Sequence, residues 1–431
     1  MDSQEVELLA IGAGPANLAL AVTLEELAPE QLSTRTVVIE QHDSVTWQRG
    51  MLLPWTLCQV SFLKDLVTRR NPRSRFSFVN YLHSTGRLDA FINLGSVLPY
   101  RTEISDYLRW VAQGLQNVRI SYGRRCVAIE PVVSDDGEVT RWSVRLADGG
   151  AILCRSLVIG GGRDPYLPDV FTAIPRERLI HSTEYLFRVD ELDQAAPYRV
   201  AVVGGAQSAA EMLWATHQRL PRATCTMVMR SIGLNCYESS KFTNELFYPS
   251  FVDEFHAAQP EARAQLLREM HRTNYSGLAP DLLDTLYRQM YLERLAGTPR
   301  IKMITMSEIV NAEVVDGEVA LTIVDRKSGR PAVLRCDVVM LGTGFVRDMP
   351  KLVHNLAATA GVDDITVTRS YRLNLPPRFV ATCHLQGVNE ATHGIADSLL
   401  SVLASRSEEI VSDLLSVRQA APLLASLPAR R

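Results

Sequence analysis

Short runs of apolar residues that end in glycine recur along the chain and predict strands of a parallel sheet. Two of them continue directly into a helical pattern, at residues 6–27 (VELLAIGAGPANLALAVTLEEL) and 199–220 (RVAVVGGAQSAAEMLWATHQRL). Two further runs, residues 156–162 (SLVIGGG) and 337–344 (DVVMLGTG), have the same apolar core. A buried strand, a glycine turn and an amphipathic helix make up the βαβ unit of a parallel sheet. The pattern therefore predicts an α/β fold with two Rossmann-like domains.

Between these runs the pattern changes, and the changes suggest where the domains begin and end. Residues 241–300 are rich in helix formers and aromatic residues, which predicts a helical insertion in the second domain. Apolar and polar residues alternate around 135–153 and 310–335, with Asp-Gly, Gly-Gly and Ser-Gly pairs between them, which predicts antiparallel strands. We assign residues 1–165 and 335–405 to a discontinuous first domain, 198–334 to the second domain and 406–431 to a C-terminal tail.

Composition and charge exclude several classes of protein. Of the 431 residues, 46% are hydrophobic and 22% are charged, as in ordinary globular domains. Lys and Arg number 45 against 48 Asp and Glu, so no basic excess favours nucleic acid. No apolar run is long enough for a membrane span, and the acidic N-terminus is not that of a signal peptide.

The seven cysteines are scattered and form no C-x-x-C pair. This spacing argues against a redox-active disulfide of the thioredoxin-reductase type and against a zinc ribbon, and we predict no metal site. An odd number of dispersed cysteines is typical of a protein in the reducing cytoplasm.

The first glycine turn has the features of a dinucleotide site. Gly12 and Gly14 match the first two glycines of G-x-G-x-x-G, whereas Asn17 stands at the third position. Pro15 suits the first turn of a helix, whose N-terminus attracts a pyrophosphate. Glu40 ends the next apolar run (TVVIE), where an acceptor for a ribose hydroxyl belongs. We predict FAD here; a glycine turn without a ligand is the plainer alternative.

The second glycine turn, GGAQSAAE at residues 204–211, repeats the architecture, with Gly205, Gln207 and Ser208 as candidate phosphate contacts. The following apolar run ends in Arg230 instead of an acid. An arginine attracts the 2′-phosphate of NADPH, which a carboxylate would repel. The sequence therefore favours NADPH over NADH, with an ordinary surface arginine as the alternative.

One long segment carries the most specific resemblance to a known family. Residues 47–82 (WQRGMLLPWTLCQVSFLKDLVTRRNPRSRFSFVNYL) resemble the signature of the flavin-dependent N-hydroxylating monooxygenases, the L-ornithine and L-lysine N-monooxygenases of siderophore biosynthesis. The resemblance covers almost the whole chain in the family's order. It continues through residues 91–110, KFTNELF (241–247), TNYSG (273–277), DVVMLGTGF (337–345) and THGIADSLLS (392–401).

The resemblance implies roles for particular residues. FAD would lie along Glu40, Gln41, Trp47 and Gln48, with Gln59 near its reactive ring and Val127, Ser398, Leu399 and Leu400 at its border. Lys64 would bind the substrate α-carboxylate, and Asn244, Asn274 and Ser401 would complete the substrate site. NADPH would contact residues 205–208 and Arg230, together with Asn274, Tyr275 and Ser276. From the sequence alone, Lys64 could equally be a solvated lysine, and the asparagines could be capping or loop residues.

The same resemblance implies a reaction. NADPH would reduce FAD, oxygen would form a flavin hydroperoxide, and the substrate amine would take up one oxygen atom. No catalytic side-chain nucleophile is needed. KFTNELF and TNYS are most like the ornithine branch, which implies N5-hydroxyornithine for a siderophore or related hydroxamate. An L-lysine N6-hydroxylase or a diamine N-hydroxylase is the alternative.

Two other functional hypotheses are compatible with the same two-domain fold. A flavin monooxygenase that oxidises sulfides or ketones would share both glycine turns, although only His181, Ser182 and Tyr185 faintly match its fingerprint. A protein that binds both cofactors without turnover is the non-enzymatic alternative, and it would consume no oxygen with any amine. The resemblance further implies a homo-oligomer, a tetramer in the family.

Overall fold

The computed structural model describes residues 4–275 and 277–420, and all statements below refer to these residues. The strands are β1 Gln4–Ile11, β2 Thr36–Ile39, β3 Arg119–Ser121, β4 Cys126–Val133, β5 Val139–Leu146, β6 Ala151–Ile159, β7 Leu179–His181, β8 Arg199–Val203, β9 Thr224–Val228, β10 Ile301–Ile304, β11 Ser307–Val315, β12 Glu318–Asp325, β13 Pro331–Cys336, β14 Val338–Leu341 and β15 Thr382–Leu385. The helices are α1 Pro15–Leu27, α2 Glu30–Ser33, α3 Phe78–Ser84, α4 Leu88–Leu94, α5 Arg101–Gly114, α6 Tyr185–Val189, α7 Gln207–Arg219, α8 Lys241–Glu245, α9 Pro249–Ala257, α10 Pro260–Asn274, α11 Pro280–Leu295, α12 Lys351–Ala360, α13 Glu390–His393 and α14 Leu403–Ala420.

The first glycine turn belongs to a seven-stranded sheet in the order β3-β2-β1-β6-β5-β4, with β15 also pairing with β6. Along one of its edges, strand β6 pairs with two different strands. Its first half pairs antiparallel with β5, and its second half, from Ser156 to Ile159, pairs parallel with β15. The carboxyl ends of β1, β2, β6 and β15 therefore meet at one edge of the sheet, where open α/β sheets bind their ligands.

The second glycine turn belongs to a five-stranded parallel sheet in the order β10-β9-β8-β14-β7. The predicted two-domain α/β fold is confirmed by these two sheets. The antiparallel strands predicted at 310–335 are present as a separate three-stranded sheet, β11-β12-β13.

One predicted boundary is wrong. Residues 335–405 were assigned to the first domain, yet β14 pairs in parallel with β8 and β7 of the second sheet. An apolar parallel strand is buried on both faces, so its sequence does not say which sheet it joins. The chain returns to the first domain after β14, and β15 is the part of 335–405 that enters the first sheet.

The predicted tail beginning at 406 is also wrong in its first part. Residues up to 420 belong to α14, whose Ile410, Val411 and Leu414 are buried in the core beneath α1. Thr23 of α1 donates a hydrogen bond to Ser407 of α14 over 2.9 Å. Residues 421–431 lie outside the described part of the chain.

The helical insertion predicted at 241–300 contains α8, α9, α10 and α11. Helix α11 packs on the second domain through Leu282, Leu286 and Met290. Helices α9 and α10 pack instead with the segment around Ile395 and Val402, which belongs to the C-terminal part of the chain. The insertion thereby reaches from one domain to the other. None of the described helices is long and apolar enough to cross a lipid bilayer.

A buried ion pair joins the two domains. Arg101 at the start of α5 donates two hydrogen bonds to the Glu211 carboxylate on α7, over 2.9 and 2.7 Å. Arg101 donates a third hydrogen bond to the carbonyl oxygen of Met51. Both charged side chains are almost fully enclosed, so each depends on the other for compensation. The pair thereby fixes α7, the helix that follows the second glycine turn, against α5 and the segment around Met51.

Candidate active site

The turn between β1 and α1 leaves space for a phosphate. Gly12 has a φ of +90°, and a Cβ there would lie only 3.0 Å from the Cα of Gly161. At Gly14, by contrast, an added Cβ would meet nothing within 4 Å. No side chain of the described residues caps the N-terminus of α1. The first-turn amides of α1 therefore face an open, positively polarised space.

Glu40 is fixed beside this turn. Its Oε2 accepts a hydrogen bond from the Ala13 amide over 2.8 Å, and its Oε1 accepts one from the His42 amide over 3.0 Å. Gln41, between Glu40 and His42 in the chain, is exposed. The carboxylate keeps acceptor capacity beyond these two bonds, so its position agrees with the predicted ribose contact.

Asn17 has a different use from the one predicted. Its buried Nδ2 donates to the carbonyl oxygens of Ile11 and Gly12, and its Oδ1 accepts from Gln386 Nε2 over 2.8 Å. The side chain is thus fully occupied in holding the turn, and a Cβ at Gly160 would collide with it. The predicted cofactor contact of Asn17 would therefore come most simply from its backbone.

The second glycine turn is similar but tighter. Gly204 has a φ of +136°, and a Cβ there would lie 2.5 Å from the carbonyl oxygen of Gly342. Helix α7 also begins without a side-chain cap from the described residues, so Ser208 does not cap it. Arg230 follows β9 by two residues and is exposed. The phosphate contacts of Gly205, Ser208 and Arg230 stay predictions.

Gln207 connects elements instead of facing an open space. Its Nε2 donates to Glu211 Oε1 over 2.8 Å, and its Oε1 accepts from the amide of Ala279 over 2.8 Å. The side chain ties α7 to the residues just before α11. A cofactor contact from Gln207 would require these bonds to rearrange or would come from its backbone.

The segment from Trp47 to Gln59 packs against both domains, since Cys58 belongs to the core of the first domain and Met51 and Leu53 to that of the second. Gln48 has the left-handed conformation, with φ 53° and ψ 42°, which is uncommon for a residue with a side chain. Gly50 packs directly on the backbone of Thr183, so a Cβ there would overlap it. Gln59 is exposed. Val127 is exposed in β4. Just before β4, two backbone amides donate hydrogen bonds to the carbonyl oxygens of His42 and Glu40.

Two predicted substrate residues meet from distant parts of the chain. Lys64 Nζ donates a hydrogen bond to Ser401 Oγ over 3.4 Å, although 337 positions separate the two residues. Burial lowers the pKa of Lys64, and the nearby charge of Arg69 lowers that pKa further. Lys64 lies in a turn, not on a helix.

The residue after Lys64 explains how this turn is held. Buried Asp65 accepts hydrogen bonds from the amides of Val67, Thr68 and Phe78 and from the Thr68 hydroxyl. Burial raises the pKa of Asp65, and the bonds to Phe78 and Thr68 oppose that rise. The sequence interpretation overlooked Asp65, although aspartate commonly accepts a hydrogen bond from the backbone two residues on in a turn, as it does here from Val67.

The ends of α8 and α10 carry the remaining predicted residues. Asn244 is exposed on α8, and Asn274 is the last residue of α10. Within the described residues neither side chain makes a hydrogen bond, to Lys64 or to any other residue. Tyr275 donates a hydrogen bond to Glu390, and its hydroxyl lies 3.1 Å from Ser398 Oγ. Ser276 lies outside the described residues.

A buried polar network connects the first glycine turn with residues 395–402. Gln386, whose side chain donates to Asn17, accepts a hydrogen bond from Arg406 Nε over 3.1 Å. Arg406 also donates a hydrogen bond to the Asp397 carboxylate over 2.8 Å. The Asp397 carboxylate also accepts a hydrogen bond from the backbone amide of Asn389 over 2.7 Å. Ser398, Leu399, Leu400 and Ser401 follow directly after Asp397. The sequence interpretation missed Arg406 because it lies in the predicted tail.

Asn389 shows what kind of group this edge of the sheet can bind. Its Oδ1 is buried and has no hydrogen-bond partner among the described residues. Asn389 follows β15 at the carboxyl edge of the first sheet, next to the glycine turn. A buried acceptor without a donor is costly, so the edge is suited to a polar ligand that supplies one.

Comparison with known proteins places this arrangement in a family. Residues 4–347 match the family model of L-lysine 6-monooxygenase/L-ornithine 5-monooxygenase. The chain is 40% identical over 401 residues to an L-ornithine N(5)-monooxygenase of Burkholderia cepacia, covering 90% of this chain and 89% of that protein. The chain belongs to this family.

Solved structures of relatives have the same fold. The ornithine hydroxylase PvdA from Pseudomonas aeruginosa superposes with a TM-score of 0.89 at 36% identity, covering 96% of this chain and 99% of that one. The ornithine N-hydroxylase KtzI of Kutzneria sp. 744, in a complex with reduced FAD, NADP+ and L-ornithine, gives 0.90 at 34% identity, covering 97% and 100%. The predicted family and fold class are confirmed by these matches.

Proposed function

We propose that this protein is an FAD- and NADPH-dependent monooxygenase that hydroxylates the side-chain amine of L-ornithine to N5-hydroxyornithine. The observation that carries the proposal is the contact between half-buried Lys64 and Ser401 in a member of this family. Relatives over most of the chain's length are L-ornithine N(5)-monooxygenases, and the KtzI structure holds L-ornithine with both cofactors. The family match disfavours the sulfide- or ketone-oxidising alternative.

The residues of the first domain fit FAD. Gly14 opens the space at the start of α1, Glu40 is fixed beside it, and Asn389 offers a buried acceptor. The second domain fits NADPH through Gly205, Ser208 and Arg230. We therefore assign FAD to residues 1–165 with the part of 335–405 after β14, and NADPH to residues 198–334 with β14. The insertion at 241–300 would complete the substrate site begun by Lys64 and Ser401. When bound, the flavin supplies the activated oxygen for the reaction and NADPH supplies its electrons.

The protein's own part in the reaction is to orient the amino acid and to control its proton. Lys64 would bind the α-carboxylate, and this anchor would set how far the side-chain amine extends. One methylene changes that reach by more than about 1 Å, enough to misplace a nucleophile. The amine must be neutral to react, although an alkyl amine in water has a pKa of about 10.4. Removal from water disfavours the ammonium form and assists loss of the proton.

A comparison of substrates tests this function. Purified holoenzyme with NADPH and oxygen would be given L-ornithine, L-lysine or putrescine, and both hydroxylamine and hydrogen peroxide would be measured. We expect hydroxylamine from ornithine, and mainly peroxide from the other two. A clear preference for lysine or putrescine would contradict the assigned substrate, whereas peroxide alone with all three would contradict amine hydroxylation.

L-Lysine N6-hydroxylation stays the second candidate because the family model itself covers both activities. Three further expectations stay untested: a cytoplasmic location, which rests on the cysteine pattern, and a homo-oligomer and a product used for a siderophore or related hydroxamate, which the family resemblance implies. Sedimentation of the purified enzyme would test the second of these.

A further inference from the structure

Arg69 contacts two of the segments that carry the proposed substrate residues. Its Nη1 donates a hydrogen bond to the carbonyl oxygen of Ser401 over 2.9 Å. Its guanidinium carbon lies 5.7 Å from the centre of the Tyr248 ring, within the range of a cation–π contact. Tyr248 follows Asn244 by four residues and is the N-cap residue of α9. Arg69 thus joins the Lys64 turn, Ser401 and the α8–α9 connection.

The charges around Arg69 and Lys64 are unbalanced. Neither side chain has a carboxylate within ion-pair distance among the described residues, whereas neighbouring Arg70 is paired with Glu26. Arg69 lowers the pKa of Lys64, which is how one cation acts on another nearby. Two like charges at one site favour an anion between or beside them.

Arg69 also has donors available for such an anion. Only Nη1 is used within the described residues, which leaves Nε and Nη2 of the planar guanidinium. Arginine donors of this geometry match a carboxylate better than they match any other common biological group except phosphate. Arg69 is exposed, as expected for a residue at the mouth of a site.

We propose that Arg69 is a specificity-determining residue that, with Lys64, binds the α-carboxylate and makes the enzyme select amino acids over diamines. This inference rests on the proposed function, and it adds a second cation to the single anchor at Lys64. A substrate without a carboxylate would gain nothing from Arg69 and would be repelled through its second ammonium group.

The test uses three variants of the holoenzyme. Arg69→Met removes the charge and keeps an aliphatic stem, and Arg69→Lys keeps the charge without the planar fork. Arg73→Met is the matched control, because Arg73 is exposed on the same loop and its side chain makes no hydrogen bond or ion pair within the described residues. Flavin content and melting temperature establish that each variant is folded.

Initial rates of hydroxylamine formation would be measured with L-ornithine and with putrescine. In Arg69→Met we expect KM for ornithine to rise about tenfold, while kcat stays within about twofold, since a charge-assisted contact to the substrate is lost. KM for putrescine should stay constant or fall. Arg69→Lys should recover part of the loss, and Arg73→Met should behave as the wild type. Added salt should raise KM for ornithine more in the wild type than in Arg69→Met.

The outcomes separate this inference from the proposed function. An active wild type whose Arg69→Met variant keeps its KM for ornithine, or loses affinity for ornithine and putrescine equally, would overturn the role of Arg69 alone. A wild type that makes no hydroxylamine from ornithine would overturn the proposed function and this inference together. Calorimetric titration of ornithine into the holoenzyme would report the same affinity difference without relying on turnover.

Discussion

Glu40 is the residue whose substitution tests the proposed FAD site most directly. Its carboxylate accepts from the Ala13 amide in the glycine turn and is free to accept from a ribose hydroxyl. We expect Glu40→Gln to weaken FAD binding about tenfold to a hundredfold, because a hydrogen bond to a charged group contributes about 1.5–3 kcal/mol. Fluorescence titration of the apoenzyme with FAD measures this, with exposed Glu30→Gln as control. Equal affinities in the two variants would refute the assigned contact.

Arg230 carries the prediction about the nicotinamide cofactor. If it binds the 2′-phosphate, Arg230→Leu should raise KM for NADPH about tenfold or more and leave KM for NADH nearly unchanged. Arg222→Leu, at another exposed arginine whose side chain makes no hydrogen bond within the described residues, should change neither constant. The check is steady-state oxidation of each cofactor. A parallel loss with both cofactors would show that Arg230 does not read the phosphate.

At the scale of elements, α14 holds residues 395–402, which include the proposed substrate residue Ser401, through Arg406. This side chain is 1% exposed and bonds to both Gln386 and Asp397. Arg406→Met would leave the Asp397 carboxylate buried without its cation, and breaking such a pair costs about 3–5 kcal/mol. We expect the free energy of unfolding to fall by that amount and the ratio of hydroxylamine to NADPH consumed to fall as well. Denaturant unfolding measures the first, and Arg406→Lys should restore part of both.

If the network served stability alone, the ratio of product to NADPH would not change at temperatures where the variant is folded. That ratio therefore distinguishes a positioning role from a purely structural one. A loss of less than about 1 kcal/mol would contradict the buried pairing itself.

His393, at the end of α13, gives the molecule a defined response to acid. Its ring stacks on Tyr371 with centres 4.1 Å apart, and burial lowers its pKa to about 4. In the unfolded chain a histidine takes up a proton below about pH 6.5, whereas the folded chain keeps His393 neutral to about pH 4. Stability from this group is therefore full above pH 6.5 and is lost as the pH falls towards 4, by about 3 kcal/mol in total.

His393→Gln should remove that part of the pH dependence. Denaturant unfolding at pH 7 and at pH 4.5 would be compared between the variant and the wild type. The wild type should lose more free energy between the two pH values than the variant. Identical slopes would contradict the burial of a neutral ring at this position.

For the molecule as a whole, the sequence was informative wherever the evidence was local. The glycine turns at Gly12 and Gly204, the strands before them and the helices after them follow from periodicity and from the conformational freedom of glycine. The family signature at residues 47–82 then identified the reaction class. Lys64 and Ser401 were named through that resemblance, and the structure brings them into contact.

What could not be predicted depends on partners far apart in the chain. Arg101 and Glu211 are separated by 110 positions, and each alone is an ordinary charged helix residue. Strand β14 is as apolar as any other central strand, so only its pairing shows which sheet it joins. Helix α14 has charged residues between its buried positions, and these made it resemble a solvated tail.

The central claim is that one oxygen atom from molecular oxygen is placed on the side-chain nitrogen of L-ornithine. The most direct test is to run the holoenzyme with NADPH, L-ornithine and 18O2, and to locate the label in the product by tandem mass spectrometry. The account predicts one 18O atom on N5 and none on the α-amine or the carboxylate. An unlabelled product, a label on the α-amine, or NADPH consumption that gives only labelled peroxide would contradict it.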